Sequence, residues 1–85
     1  EMATREQSEH DYMHWQELPD GGRRYWLDVP GRVRSFARYI KIVDPNEITQ
    51  SFVQEIYDEH RRLTGRHQKY PIDTGHQIIE TDDEG

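Results

Sequence analysis

Turn-forming residues cut this chain into short segments, and that punctuation restricts its fold more than any other feature. Pro19-Asp20-Gly21-Gly22, Pro30-Gly31, Asp44-Pro45-Asn46-Glu47 and Pro71-Ile72-Asp73-Thr74-Gly75 each combine a fixed negative φ at proline with glycine or with side chains that bond their own backbone. Between them the pattern has period two. Tyr12, His14, Gln16 and Leu18 fall on one side of an extended Tyr12–Leu18, with Met13, Trp15 and Glu17 on the other. Tyr25, Leu27 and Val29 share a face of Arg23–Val29. Val33–Val43 is the most apolar stretch, and Phe36, Tyr39, Ile40, Ile42 and Val43 fall on both parities, which predicts a bulge or a strand covered on both sides.

The segment Asp44–Gly65 reads two ways. A helix from Pro45 to about Leu63 would take Asp44 as N-cap, Pro45 as its first residue and Glu47 three residues after the cap. Ile48, Phe52, Val53, Ile56, Tyr57 and Leu63 would then lie near one stripe, with Arg61 and Arg62 in the last turn and Gly65 closing it. Read as strands, Asp44-Pro45-Asn46-Glu47 is a type I turn, and Asp58-Glu59-His60-Arg61 is a second turn leading into Leu63–Tyr70. Thr49, Phe52, Val53, Ile56 and Tyr57 favour extended backbone. The expected fold is all-β: a single small antiparallel meander of four or five strands, curled into a half-open barrel. The alternative is α+β, with a helix at 45–63 on a three-stranded sheet.

The 85 residues allow one small domain, placed at 11–79. A chain of this size hides only about 60% of its unfolded surface, so its stability margin is thin. Residues 1–10 and 80–85 are acidic and nearly devoid of apolar side chains, and both are expected to be disordered tails. The absence of cysteine excludes disulfides, a thiolate nucleophile and zinc–thiolate sites, and it fits a cytoplasmic location. No apolar run approaches the ~18 residues that cross a bilayer, and Glu1–His10 lacks the basic and apolar regions of a signal peptide.

The net charge of −6 is unevenly spread. Arg23, Arg24, Arg32, Arg34, Arg38 and Lys41 face only Asp28 within residues 23–41. Asp44, Glu47, Glu55, Asp58 and Glu59 follow without a basic residue, and then Arg61, Arg62, Arg66 and Lys69 without an acidic one. Such segregation predicts neighbouring strands whose opposite charges pair across a sheet, or else a basic face for phosphate or an acidic protein.

The run Arg38-Tyr39…Asp44…Glu47…Thr49…Phe52…Gln54-Glu55-Ile56-Tyr57-Asp58-Glu59…Arg62-Leu63…His67…Lys69-Tyr70-Pro71…Asp73…Gly75-His76 resembles a group of small, uncharacterised bacterial proteins built as antiparallel β-meanders. The resemblance covers about half the chain. It implies a hairpin turn at Arg61, a position often held by glycine in that group, and it implies no activity. Asp73, Gly75 and His76 also carry a weaker likeness to TumE-type toxins.

His10 and His14 have the i, i+4 spacing of a helical ligand pair but fall in or beside an expected strand or tail, no other histidine pair has a recognised metal-binding spacing, and no metal site or cofactor is expected. A metal-independent ribonuclease would need a base, an acid and a cation, for which His60, His67, His76 and Lys69 are the candidates. If Leu63–Tyr70 is extended, His67 shares a face with Leu63 and Lys69, and Asp73 is placed to orient His67 or His76. The other candidate surface joins arginine to aromatic rings: Arg23, Arg24, Trp26, Arg34, Arg38, Tyr39, Arg62 and Arg66. Such a surface suits a protein partner or self-association, and it could also stack bases of single-stranded RNA. With no spacing that meets a catalytic pattern, the expectation is a non-catalytic module that binds protein through a strand edge or this aromatic–arginine face. RNA binding and toxin-type RNA cleavage are the alternatives.

Overall fold

A computed structural model describes residues 4–79. Residues 1–3 and the acidic segment 80–85 expected to be a disordered tail lie outside the described residues. A helix α1 (Arg5–Tyr12) precedes six strands, β1 (His14–Glu17), β2 (Arg23–Pro30), β3 (Phe36–Val43), β4 (Thr49–Tyr57), β5 (Leu63–Tyr70) and β6 (Gly75–Ile78). The strands form one antiparallel sheet in chain order, and among the described residues β1 and β6 are its unjoined edges. The all-β meander is therefore present. It has one strand more than expected, because the loop after Tyr70 returns the chain to the sheet as β6.

Three of the turns are built alike. The carbonyls of Leu18, Asp44 and Asp58 accept from the N–H of Gly21, Glu47 and Arg61, and the N–H groups of the same three starting residues donate to the carbonyls of Gly22, Ile48 and Arg62. In each, the residue closing the turn has positive φ: Gly21 at 89°, Glu47 at 68° and Arg61 at 64°. This is a type I turn followed by a left-handed residue, a common hairpin connection. Arg61 thus occupies the site where glycine is the least strained residue. Asp44 Oδ1 accepts from the N–H of Asn46 and Ile48 (2.8 and 2.9 Å), and Asp58 Oδ1 does the same for His60 and Arg62 (2.8 and 2.9 Å). The helix alternative at 45–63 is overturned here. Asp44 caps a turn instead of a helix, the left-handed Glu47 ends any helical path, and the β-branched and aromatic residues beyond it pair with β3 and β5.

Register sorts the side chains into rows that alternate between the two faces. One face carries Leu27–Tyr39–Gln54–His67–His76 and Val29–Ala37–Ile56–Gly65–Ile78 across five strands, with Tyr25, Lys41 and Phe52 alongside. The opposite face carries His14–Trp26–Ile40–Val53–Gln68–Gly75 and Asp28–Arg38–Glu55–Arg66. The second of these rows realises the charge pairing expected across strands. Arg38 grips Asp28 with two bonds (2.7 and 2.9 Å), and this guanidinium holds the Asp28 carboxyl below its ordinary value. Both parities of β3 are at least half-buried, in keeping with its apolar residues on both faces, and the pairing is shifted at Ile42/Val43, Phe52/Val53 and Ile56/Tyr57. The shift at Ile56/Tyr57 also corrects an expectation. Leu63 pairs with Tyr57 and so lies on the face opposite His67.

The expected tail at 1–10 is also corrected, because residues 5–12 form α1 and pack on the sheet. Thr4 caps α1 by accepting from the Gln7 N–H (3.1 Å), and Met13 ends it with φ 71°. Tyr12, expected in a strand, is its last residue. Its docked stripe is Arg5, Ser8, Glu9 and Tyr12, an i, i+3, i+4, i+7 pattern made of polar side chains. Arg5 Nε binds Glu47 Oε1 (2.9 Å), Lys41 Nζ donates to Ser8 Oγ (2.8 Å), Arg23 binds Glu9 (2.5 Å), and the Tyr12 ring lies 5.8 Å from Tyr25. Ser8 is fully buried on the inner side of α1, and Tyr25, whose hydroxyl donates to Glu47 Oε2, is fully buried beneath the helix.

Burial pushes the Tyr12, Tyr25 and Tyr57 hydroxyls above their ordinary pKa, with nearby Asp11, Glu47 and Glu55 adding to it in turn. A raised folded pKa contributes stability that is complete below the unfolded value of about 10 and lost as pH rises above it. The urea midpoint is therefore expected to fall above about pH 10 together with the rise of tyrosinate absorbance. A midpoint unchanged through that rise would contradict the burial of these phenols.

Candidate interaction site

Strand β1 pairs only with β2, so its outer backbone edge has no partner among the described residues. Met13, His14, Trp15 and Trp26 surround an open hollow of about 240 Å³ beside this edge. Local structure builds it from both sides. The left-handed Met13 turns the chain out of α1 and leaves its own side chain 69% exposed. Pairing of His14 with Trp26 then stacks the imidazole on the indole, with ring centres 5.5 Å apart. Trp15 points to the α1 face with Arg23 over its ring at 5.6 Å, and Arg24 covers Trp26 at 4.8 Å.

The arginine and aromatic residues chosen from the sequence do not form one face. Arg24, Trp26, Arg38 and Arg66 share the face opposite α1, whereas Arg23 and Tyr39 lie on the α1 face. Arg34 sits in the β2–β3 turn at φ 64°, and Arg62 sits in the β4–β5 turn, 3.2 Å from Asp58. The arginines also cover the rings they accompany. Arg38 and Arg61 lie 5.7 and 4.8 Å from the centre of Phe36, which itself stacks on Tyr57 at 4.9 Å. A base stacking there would have to displace a guanidinium worth about 0.5–1 kcal/mol on each ring.

The histidine candidates are partly gathered. His67 and His76 face each other across β5 and β6, and His67 Nε2 donates to Asp73 Oδ1 at 2.5 Å. That bond, joined by one from the Gly75 N–H (2.9 Å), holds the Asp73 carboxyl below its ordinary value. Lys69 Nζ lies 5.6 Å from the Tyr39 ring centre, which places it on the same face. His60 is not brought in, because the β4–β5 turn that holds it lies beyond Leu63, four residues and about 13 Å of strand from His67. The ring of His76 leans over Gly65, where an added Cβ would meet it at 2.9 Å.

Among the described residues no group of three or more potential ligands could hold a metal ion, and no helix is long and apolar enough to cross a membrane. Sequence reasoning missed Glu47 and Met13. Nothing in the pattern marks Glu47 as buried, but Thr4-Arg5-Glu6-Gln7 has the spacing of a helix capping box and could have revealed α1, and with it Met13 as the residue leaving the helix. Comparisons with family models, with curated proteins and with solved structures find no match to this chain.

Proposed function

We propose that this chain is a non-catalytic interaction module that accepts an extended segment of a partner protein as an added strand on the outer edge of β1. The carrying observation is the unpaired β1 backbone beside the Met13–His14–Trp15–Trp26 hollow. Strand addition gains affinity from main-chain hydrogen bonds and specificity from pockets for alternate side chains. At about 240 Å³ the hollow is below the ~300–1,000 Å³ of small-molecule sites and suits one apolar side chain of a strand. Rings already covered by arginine argue for protein over stacked RNA, and the overall charge of −6 points the same way. The absence of cysteine supports a cytoplasmic setting, and the resemblance of the 38–76 run supports a bacterial one.

Selection from a random dodecapeptide display library tests this reading. Selected peptides are expected to bind with little dependence on salt, to lose at least about tenfold in affinity with Trp26→Ala or Met13→Asp, and to fail when their backbone amides are N-methylated. A library that yields no such peptides would overturn it, as would tight binding of single-stranded RNA that weakens steeply with salt or RNA cleavage abolished by His67→Ala.

A further inference from the structure

The interface beneath α1 has two properties that combine. First, it is polar and specific. Arg5, Ser8, Glu9 and Tyr12 meet Glu47, Lys41, Arg23 and Tyr25, and Arg5 also donates to the Gly21 carbonyl at 3.0 Å. An interface of paired charges contributes little net stability, but without α1 or an equivalent the buried Arg23 loses Glu9 and the buried Glu47 loses Arg5, which leaves them with Glu17 at 3.4 Å and the Tyr25 hydroxyl. Second, α1 is joined to β1 by Met13 alone, which is exposed and held at φ 71°. The left-handed region is unfavourable for a side chain with a Cβ, and extending this one residue removes the strain. Short strained hinges are the setting in which an element leaves its own chain and docks on an identical one.

We infer that the Arg23–Tyr25–Lys41–Glu47 surface is a docking site for α1 of a second copy of this chain, so that the protein forms a dimer by exchanging α1 about Met13. Every contact of the closed form is re-created between chains, and the extended hinge is the only new backbone conformation. The docked surface lies on the covered side of the sheet, away from the β1 edge, but the two share Met13, which is the hinge of the exchange and also lines the hollow beside β1.

Charge reversal provides the test. Glu9→Arg opposes Arg23 within its own chain, and Arg23→Glu opposes Glu9 within its own. In an exchanged heterodimer of the two variants, Arg at position 9 meets Glu at position 23 on one side, and Glu9 meets Arg23 on the other. Mixing the two folded 85-residue variants is expected to give a one-to-one heterodimer by native mass spectrometry, while each alone stays monomeric and the double variant behaves as the natural chain. A mixture that stays monomeric while both variants remain folded overturns the inference. Should either variant fail to fold, the hinge decides. Met13→Ile penalises the left-handed conformation and is expected to strengthen dimerisation by roughly tenfold over Met13→Gly, which relaxes it. Equal dimerisation of those two variants overturns the inference as well.

Discussion

Gly22→Ala is expected to lower the unfolding free energy by about 3 kcal/mol, the upper end of the cost of overpacking. An added Cβ would lie 2.2 Å from the Val43 carbonyl oxygen and 3.2 Å from the Asp44 Cα. Both are backbone atoms, so no rotamer change makes room. The Gly22 N–H also donates to Asp20 Oδ1 (2.8 Å), and its carbonyl accepts from Leu18, which fixes the peptide against the end of β3. Relief requires separating the β1–β2 turn from the start of the β3–β4 turn. Against a total stability of about 5 kcal/mol for a domain this small, the loss is large. Urea denaturation measures it. Gly31→Ala is the control. Its Cβ would meet first the hydroxyl of Ser35 at 2.8 Å, a side-chain end that can turn away, so the cost should stay below about 1 kcal/mol. Equal losses at the two glycines would show that the close approach at Gly22 does not govern the fold.

The second large effect is at Glu47. Its carboxylate is 8% exposed, accepts from the Arg5 guanidinium at 2.9 Å and from the hydroxyl of the fully buried Tyr25, and ties the β3–β4 turn to α1. Glu47→Ala leaves the Tyr25 hydroxyl buried without an acceptor and removes the anion beside Arg5. A loss of about 3 kcal/mol is expected. Glu47→Gln keeps an acceptor for Tyr25 and should cost about half as much. Because residue 47 sits at φ 68°, Glu47→Gly should be less damaging than Glu47→Ala by about 1 kcal/mol. Denaturation midpoints rank the three variants, and amide exchange in residues 5–12 reports whether α1 leaves the sheet. Full protection of α1 in Glu47→Ala would show that Arg5 and Glu47 do not anchor it.

The turns were readable for local reasons. Pro19-Asp20-Gly21-Gly22 and Asp44-Pro45-Asn46-Glu47 carry their backbone conformations in their own side chains, and Asp58 reproduces the pattern that Asp44 sets. Extended backbone at Thr49–Tyr57 could be argued from β-branched and aromatic residues, although the same apolar spacing also suited a helix. The link from Asp73 to His67 was foreseeable because both lie within one short loop and its strand. Two features resisted. Helix α1 has no apolar stripe, so hydrophobic periodicity was blind to it. The arginine–aromatic residues looked like one surface because they are close in sequence, yet strand alternation sends adjacent residues such as Arg23 and Arg24, or Arg38 and Tyr39, to opposite faces, and the turns take Arg34 and Arg62 out of the sheet.

Local chain chemistry therefore determined by itself that this protein is a meander of short antiparallel strands, since each hairpin is specified within about five residues. Only the tertiary structure decided that Glu47 would be buried, that α1 would lie against Tyr25, and that β1 would keep an open edge beside Trp26. Those outcomes depend on residues tens of positions apart meeting in space, such as Arg5 and Glu47, where the free energy of desolvating and pairing charges is set by the partner and not by the neighbour in sequence.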